Sequence, residues 1–239
     1  MACINAPGEL TMQNRALIIL LIVFSAPAFA DRIAIIGTGD VATALGPEFA
    51  AQGHTIVYGS RDPDREEVQD LVAKSGDDAS VTTPRDAAEH ADIVVLAVPG
   101  MLVEEITLGL GDLAGKIIID PTNPLNRGDS GFTHAVDTSN AEIIQAAAPD
   151  AHVVKAFNAL SWRTMIDPDS AGGPVSIPLA GNSDQAKQKV AELVAGMGLE
   201  PIDVGSVENA HWVEGMLILW IDNRYGTERE NFDFHLRKN

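Results

Sequence analysis

The segment Arg32-Ile-Ala-Ile-Ile-Gly37-Thr38-Gly39-Asp40-Val41-Ala42 restricts the fold of this chain more than any other. A short apolar strand runs directly into G-x-G-x-x-A and then into a helical pattern. That order of strand, glycine turn and helix opens a βαβ unit, whose small residues let the backbone come close to a diphosphate. The helix N-terminus adds unpaired N–H groups and a positive dipole end, both suited to an anion. About twenty residues further on, the apolar strand Thr55–Tyr58 ends in Gly59-Ser60-Arg61. An acid at this point holds a ribose 2′-hydroxyl, whereas an arginine matches a 2′-phosphate. NADP(H) is therefore the expected cofactor, held by Gly37, Thr38, Gly39, Asp40, Val41, Ala42, Ser60 and Arg61, with Arg65 assisting.

Strand-length apolar runs alternate with helical patterns along the rest of the chain. The alternation predicts a Rossmann-type α/β fold: a doubly wound, mainly parallel sheet with a small C-terminal α/β extension. Strands are expected at 32–37, 55–58, 80–82, 92–98, 116–120, 152–157, 174–180 and 200–204. Helices are expected at 41–52, 63–74, 84–90, 102–113, 141–148, 183–197 and 207–221. Pro47 falls inside the first helix and should kink or restart it. The Gly/Asp/Ser-rich stretch ending near Thr138 reads as a loop, and the tail with alternating Phe232 and Phe234 as a final strand. The expected division is a leader (1–30), an NADP-binding domain (31–150) and an extension (151–239) that completes the acceptor cleft.

Hydrophobic residues make up 46% of the chain but aromatics only 5%, which suits parallel strands sandwiched between helices. A net charge of −18 argues against nucleic acid or an anionic membrane surface as partner, since both require a basic face. Near the N-terminus, Arg15, the apolar run Ala16–Phe24 and Ala28-x-Ala30 form the pattern of a secretory signal cut after Ala30. Cleavage implies an exported, periplasmic protein, and an uncleaved leader implies a membrane anchor. A start codon assigned too far upstream implies a cytoplasmic enzyme. Cys3, the single cysteine, precedes the run, so a chain beginning at Asp31 carries no thiol.

In doubly wound sheets, ligands bind beyond the carboxyl ends of the strands, where the strand order reverses. This rule nominates the loops Gly37–Ala42, Gly59–Arg61, Val98–Met101 and Asp120–Asn126. Val98 and Pro99 are expected beside the nicotinamide, with Asn123 bonding its amide. The six histidines show no metal-ligand spacing, and no metal site is expected. Lys155 reads as one member of a structural ion pair. Trp212, Met216, Leu219 and Trp220 share one helical face, read as core packing or a homodimer contact.

The segments Ile36-Gly-Thr-Gly-Asp40, Gly53-His54, Gly59-Ser60-Arg61, Ala97-Val98-Pro99, Asp120-Pro-Thr-Asn-Pro124, Val154-Lys-Ala-Phe-Asn158 and Pro201-Ile-Asp-Val-Gly205 occur in this order. With them the chain resembles the NADPH-dependent coenzyme F420 reductases over about residues 32–222, and it is also similar to the oxidoreductase domain of the STEAP metalloreductases. The resemblance implies hydride transfer between NADP(H) and a 5-deazaflavin or flavin-type acceptor, achieved by positioning and not by a catalytic acid–base pair. It also implies a ring pocket bordered by Val98, Pro99, Asn123, Phe157 and Asn158. Ala42, Pro47 and His211 depart from the family pattern. Two other classes stay open: a non-enzymatic NADP(H) sensor, and a reductase of another small acceptor such as a ferric chelate or an imine.

Overall fold

Strand β1 (Arg32–Ile36) is apolar and buried from Ile33 onward because both of its faces are covered there. In the computed structural model, which describes residues 30–128, 131–225 and 232–237, Ile33 and Ile35 enter one core while Ala34 and Ile36 enter another. Alternating side chains along a strand produce this division. Helix α1 (Asp40–Ala51) covers the first face with Ala42, Leu45 and Phe49. There follow β2 (Thr55–Gly59), α2 (Glu66–Lys74), β3 (Ser80–Thr82), α3 (Pro84–Glu89) and β4 (Ile93–Leu96). A 3-10 turn over Gly100–Leu102 leads into α4 (Val103–Gly109) and β5 (Ile117–Asp120). The hairpin β6 (Leu125–Gly128) and β7 (Gly131–His134) precedes α5 (Asn140–Ala147) and β8 (His152–Lys155). The chain closes with α6 (Trp162–Ile166), β9 (Ser176–Gly181), α7 (Asp184–Gly196), β10 (Glu200–Asp203) and α8 (Ala210–Tyr225).

Eight strands form one sheet in the order β10-β9-β8-β5-β4-β1-β2-β3, and β8–β9 is its antiparallel pair. The order reverses between β1 and β4, so the loops leaving these two strands diverge and open a crevice at their carboxyl ends. On the opposite face to α1, the second core is filled from α3, α4, α5 and the start of α8 by Ala87, Val103, Ile144 and Ala210. Val154, Ile177 and Leu179 pack in the same cluster as Ile33 and Leu45, so residues beyond 150 share the core of those before it.

Several local expectations are corrected. Helix α1 runs unbroken through Pro47: the ring removes one N–H, but Leu45 and Phe49 are fully buried on either side and hold the helix in place. Helix α4 stops at Gly109, well short of Leu113, because Gly111 turns the chain at φ +91°. The Gly/Asp/Ser-rich stretch contains the β6–β7 hairpin. Residues 232–237 form no strand, yet Phe234 accepts a hydrogen bond from the Ser176 N–H (2.9 Å) and so covers part of the β9 edge. Residues 1–29 of the expected leader lie outside the described residues, among which no helix is long and apolar enough to cross a membrane.

Helix α1 approaches β2 at Gly46, where a Cβ would overlap the ring and hydroxyl of Tyr58. That hydroxyl is fixed by Ser75 Oγ at 2.6 Å, and burial raises its pKa to about 12. Because the ring cannot retreat, Gly46→Ala should lower stability by about 1–3 kcal/mol through overpacking, despite alanine's better helix propensity. Urea denaturation measures this, and a raised midpoint would contradict the packing described.

Candidate active site

A cleft of about 1080 Å³ occupies the crevice at the carboxyl ends of β1, β2, β4 and β5. Its floor is the turn Gly37–Val41. Gly37 adopts φ +105°, and a Cβ there would strike the Ala97 carbonyl, so this glycine is required for the turn to pass β4. Gly39 is different: a Cβ on it would meet nothing within 4 Å, because its Cα faces open space. Gly39 is the N-cap of α1, and no side chain caps the helix, Asp40 included. The first backbone bond of the helix is Thr43 N–H to the Gly39 carbonyl (2.9 Å). The N–H groups of Asp40, Val41 and Ala42 are therefore left over, as helix geometry requires. They form a ready anion seat. Ala42 lends only its backbone, because its side chain is fully buried in the core.

Beyond β2, Ser60 is 6% exposed and its Oγ bridges the Asp62 carbonyl (3.0 Å) and N–H (3.2 Å), which folds the loop tightly. Arg61 is exposed along the cleft and forms no ion pair among the described residues. Arg65 donates to Thr38 Oγ1 at 3.1 Å and lies 3.3 Å from Glu67, tying the second loop to the first turn. Sequence reasoning missed Arg85, which lines the same end from the start of α3. Its signal was available: a cation just after the third strand, next to the adenosine side expected of such folds. The floor thus carries an uncapped helix end and three arginines. An anionic dinucleotide fits it.

The opposite end is walled by Val98 and Pro99 after β4, by Leu102 before α4 and Ile106 within it, and by Pro121 and Thr122 after β5. Asn123, Phe157 and Asn158 stand behind that wall and outside the cleft lining. The Asn123 and Asn158 amides bond each other: Asn158 Nδ2 donates to Asn123 Oδ1 (3.0 Å), and Asn123 Nδ2 donates to the Asn158 carbonyl (3.1 Å). Asn158 also donates to the Val213 carbonyl in α8 (3.1 Å). Phe157 takes a left-handed φ of +62°, which turns its ring inward onto Phe49 at 6.1 Å, and it is 2% exposed. Its expected place beside a ring ligand is corrected accordingly: the chain reverses direction directly after β8, and the ring goes to the core.

Beneath this wall lies a buried charge cluster. Lys155 Nζ is 2.6 Å from both Asp120 Oδ2 and Glu214 Oε1, donates to the Thr122 carbonyl (2.7 Å), and is fully buried with both acids. Burial pushes the Glu214 carboxyl up, an effect opposed by the Lys155 ammonium. Glu214 Oε2 meets His134 Nε2 at 2.8 Å, and His134 Nδ1 meets the Val136 carbonyl at 2.7 Å. A carbonyl only accepts, so Nδ1 carries a hydrogen, and one further proton is shared between Nε2 and Glu214. His211, packed 4.7 Å from His134, bonds the Thr138 carbonyl and does not line the cleft. On α8, Trp220 is 8% exposed, whereas Trp212 is 72% and Leu219 59% exposed, so the expected single apolar face divides between core and surface.

The family model described as NADP oxidoreductase, coenzyme F420-dependent, matches residues 32–124. The F420-dependent NADP reductase of Methanothermobacter thermautotrophicus is 31% identical over 211 residues, covering 80% of this chain and 88% of that one. A crystal structure from Arthrobacter sp. FB24, assigned provisionally as an F420-dependent NADP-reductase, superposes with a TM-score of 0.77 at 32% identity, covering 87% of this chain and all of that one. The rat metalloreductase STEAP3 is 31% identical over 191 residues, which cover 80% of this chain but 37% of that protein. With its strand order, its glycine turn and these relatives, the chain belongs to the coenzyme F420-dependent NADP oxidoreductase family, while it spans little more than a third of the length of the metalloreductases it also resembles.

Proposed function

We propose that this protein exchanges hydride between NADP(H) and a deazaflavin or flavin-type acceptor, with coenzyme F420 the first candidate. NADPH supplies the hydride when bound, so the protein needs no redox group of its own. The chain's own contribution is positional. The free N–H groups of α1 and the side chains of Thr38, Arg61 and Arg65 hold phosphate, Ser60 shapes the loop beside them through its bonds to Asp62, and Val98 and Pro99 give the ring end an apolar wall. One observation carries the choice of acceptor: the ring end is walled by the apolar Val98, Pro99, Leu102, Ile106 and Pro121, and among the described lining residues there is no histidine, lysine or cysteine and, on α4, a single carboxyl, the exposed Glu105. Reduction of an imine or keto acid calls for a proton donor within reach of the substrate, whereas hydride passing between two stacked rings depends on proximity and orientation. The 31% identity to an F420-dependent NADP reductase supports the same reading.

A ferric chelate is the second reading, favoured by the likeness to a metalloreductase. Supplying the purified protein with NADPH and, in turn, F420, FMN, FAD and a ferric chelate separates the two. NADPH oxidation is expected with F420 or a flavin alone. Turnover confined to the ferric chelate would favour the second reading, and tight NADPH binding without any turnover would favour a sensor.

Two substitutions test the cofactor assignment. Arg61→Ala should weaken NADPH by about 1.5–3 kcal/mol, the range for a charge-assisted hydrogen bond, and leave NADH almost unchanged; equal loss for both would sink the 2′-phosphate role. Gly39→Ala should cost less than about 1 kcal/mol of stability, as expected for a cap exchange, yet weaken NADPH by about tenfold or more because the new methyl enters the phosphate seat. Calorimetric titration beside thermal melting reads both effects. A Gly39→Ala chain with undiminished NADPH affinity would place the diphosphate elsewhere.

A further inference from the structure

The two loops that wall the ring end meet behind the cleft. A Cβ on Gly100 would overlap the Asn123 carbonyl, so the chain after β4 and the chain after β5 touch backbone to backbone. Asn140, the first residue of α5 and 1% exposed, completes this junction. Its Nδ2 donates to the Gly100 carbonyl (3.0 Å) and to Thr122 Oγ1 (2.7 Å), using both amide hydrogens. Thr122 in turn donates its hydroxyl to Asp120 Oδ1 (2.6 Å), and the same oxygen accepts the Thr122 N–H (2.8 Å). The Asn140 N–H is itself anchored on Glu214 Oε1 at 2.9 Å, the oxygen that pairs with Lys155. Asn140 touches neither cofactor nor acceptor in this arrangement, since it does not line the cleft.

We propose that Asn140 is a positioning residue for hydride transfer: by bonding Gly100 and Thr122 together it fixes the separation of the Val98–Pro99 and Pro121–Thr122 walls, and so the place of the nicotinamide. This rests on the reading of the cleft as an NADP(H) site, but not on the identity of the acceptor. The side chain suits the task because no other residue of its size offers two hydrogens from one nitrogen, set at a fixed angle. Its own position is set by the Lys155–Glu214 pair, which links α8 and β8 to the wall. Adenosine-side contacts lie at the far end of the cleft, on Arg61, Arg65 and Arg85. The two ends are therefore separable by mutation.

The test uses the full chain, titrated with 2′,5′-ADP and with NADPH while the emission anisotropy of the reduced nicotinamide is followed. Asn140→Ala should bind 2′,5′-ADP as the unaltered chain does but hold the nicotinamide loosely, with its anisotropy lowered. With whichever acceptor supports turnover, kcat should fall by about 100-fold, the effect of misplacing reactants by an ångström, while KM for NADPH changes little. Thr122→Val, nearly isosteric, should reproduce the loss, and Thr122→Ser, which keeps the hydroxyl, should restore it. These variants decide the matter if Asn140→Ala does not fold. Undiminished nicotinamide anisotropy in both Asn140→Ala and Thr122→Val would overturn the proposal, as would a parallel loss of 2′,5′-ADP binding, which marks a merely structural role. Failure of the unaltered chain to bind NADPH would instead overturn the cofactor reading, and this proposal with it.

Discussion

The ammonium group of Lys155 governs how the second half of this protein meets the first. An isolated charge in a protein interior is strongly disfavoured, and removing one partner from a buried pair typically costs about 3–5 kcal/mol. Lys155 is the last residue of β8 and stands beside Asp120, the last of β5, in the parallel register. A slip of one residue would turn the lysine to the other face of the sheet. The third partner, Glu214, comes from α8, so that helix must cross behind the β5 and β8 ends for the charge to be satisfied. Register, helix placement and the conformation of the loop at Thr122 are thus coupled through one nitrogen.

That coupling gives the cleft two ends of different construction. The phosphate end is built from consecutive βα units: one glycine turn, one helix terminus and side chains from the loop after β2 and the start of α3. Gly37 and Gly59 are there for packing, against the Ala97 carbonyl and against Ile36 and Pro84, whereas Gly39 alone of the three faces open space. The ring end is non-local and depends on contacts among β5, α5, β8 and α8. Such a wall keeps its shape only while all four elements are docked. A fold with this division can change its acceptor by altering the distal elements, while the nucleotide seat stays as it is.

The same division explains what could be read from the sequence. The α/β order, the switch-point loops, and the placement of Gly37–Val41, Ser60, Arg61, Arg65, Val98 and Pro99 along the cleft follow from local patterns that one segment carries by itself. Lys155 was legible as an ion-pair member because a lysine in the apolar run Val153–Phe157 must find a counter-charge. Its partners were not, since Asp120 and Glu214 are far apart in sequence, and only the strand order and the placement of α8 bring them together. Phe157 was misplaced for a related reason: its direction is set by a single left-handed backbone angle that a non-glycine residue gives no sign of adopting. The β6–β7 hairpin was hidden by its polarity: most of its side chains are exposed or half-buried, and it leans on α8.

A chain with a net charge of −18 must still attract a polyanionic coenzyme. At physiological salt, charges farther than about 8 Å apart are largely screened, so the general acidity counts for little at the binding surface. What counts is the set of charges at contact, and Arg61, Arg65 and Arg85, three of the sixteen lysines and arginines in the chain, gather on this one cleft. Asp40 and Asp62 also border it and oppose part of that field. The acidic remainder acts on encounter more than on affinity: it slows the approach of any anion from a distance, and does so more strongly as salt is lowered. Binding that weakens when salt is raised would then report the arginines at contact, while an association rate that rises with salt would report the rest of the molecule. The two dependences have opposite sign, and together they separate the local seat from the acidic surface around it.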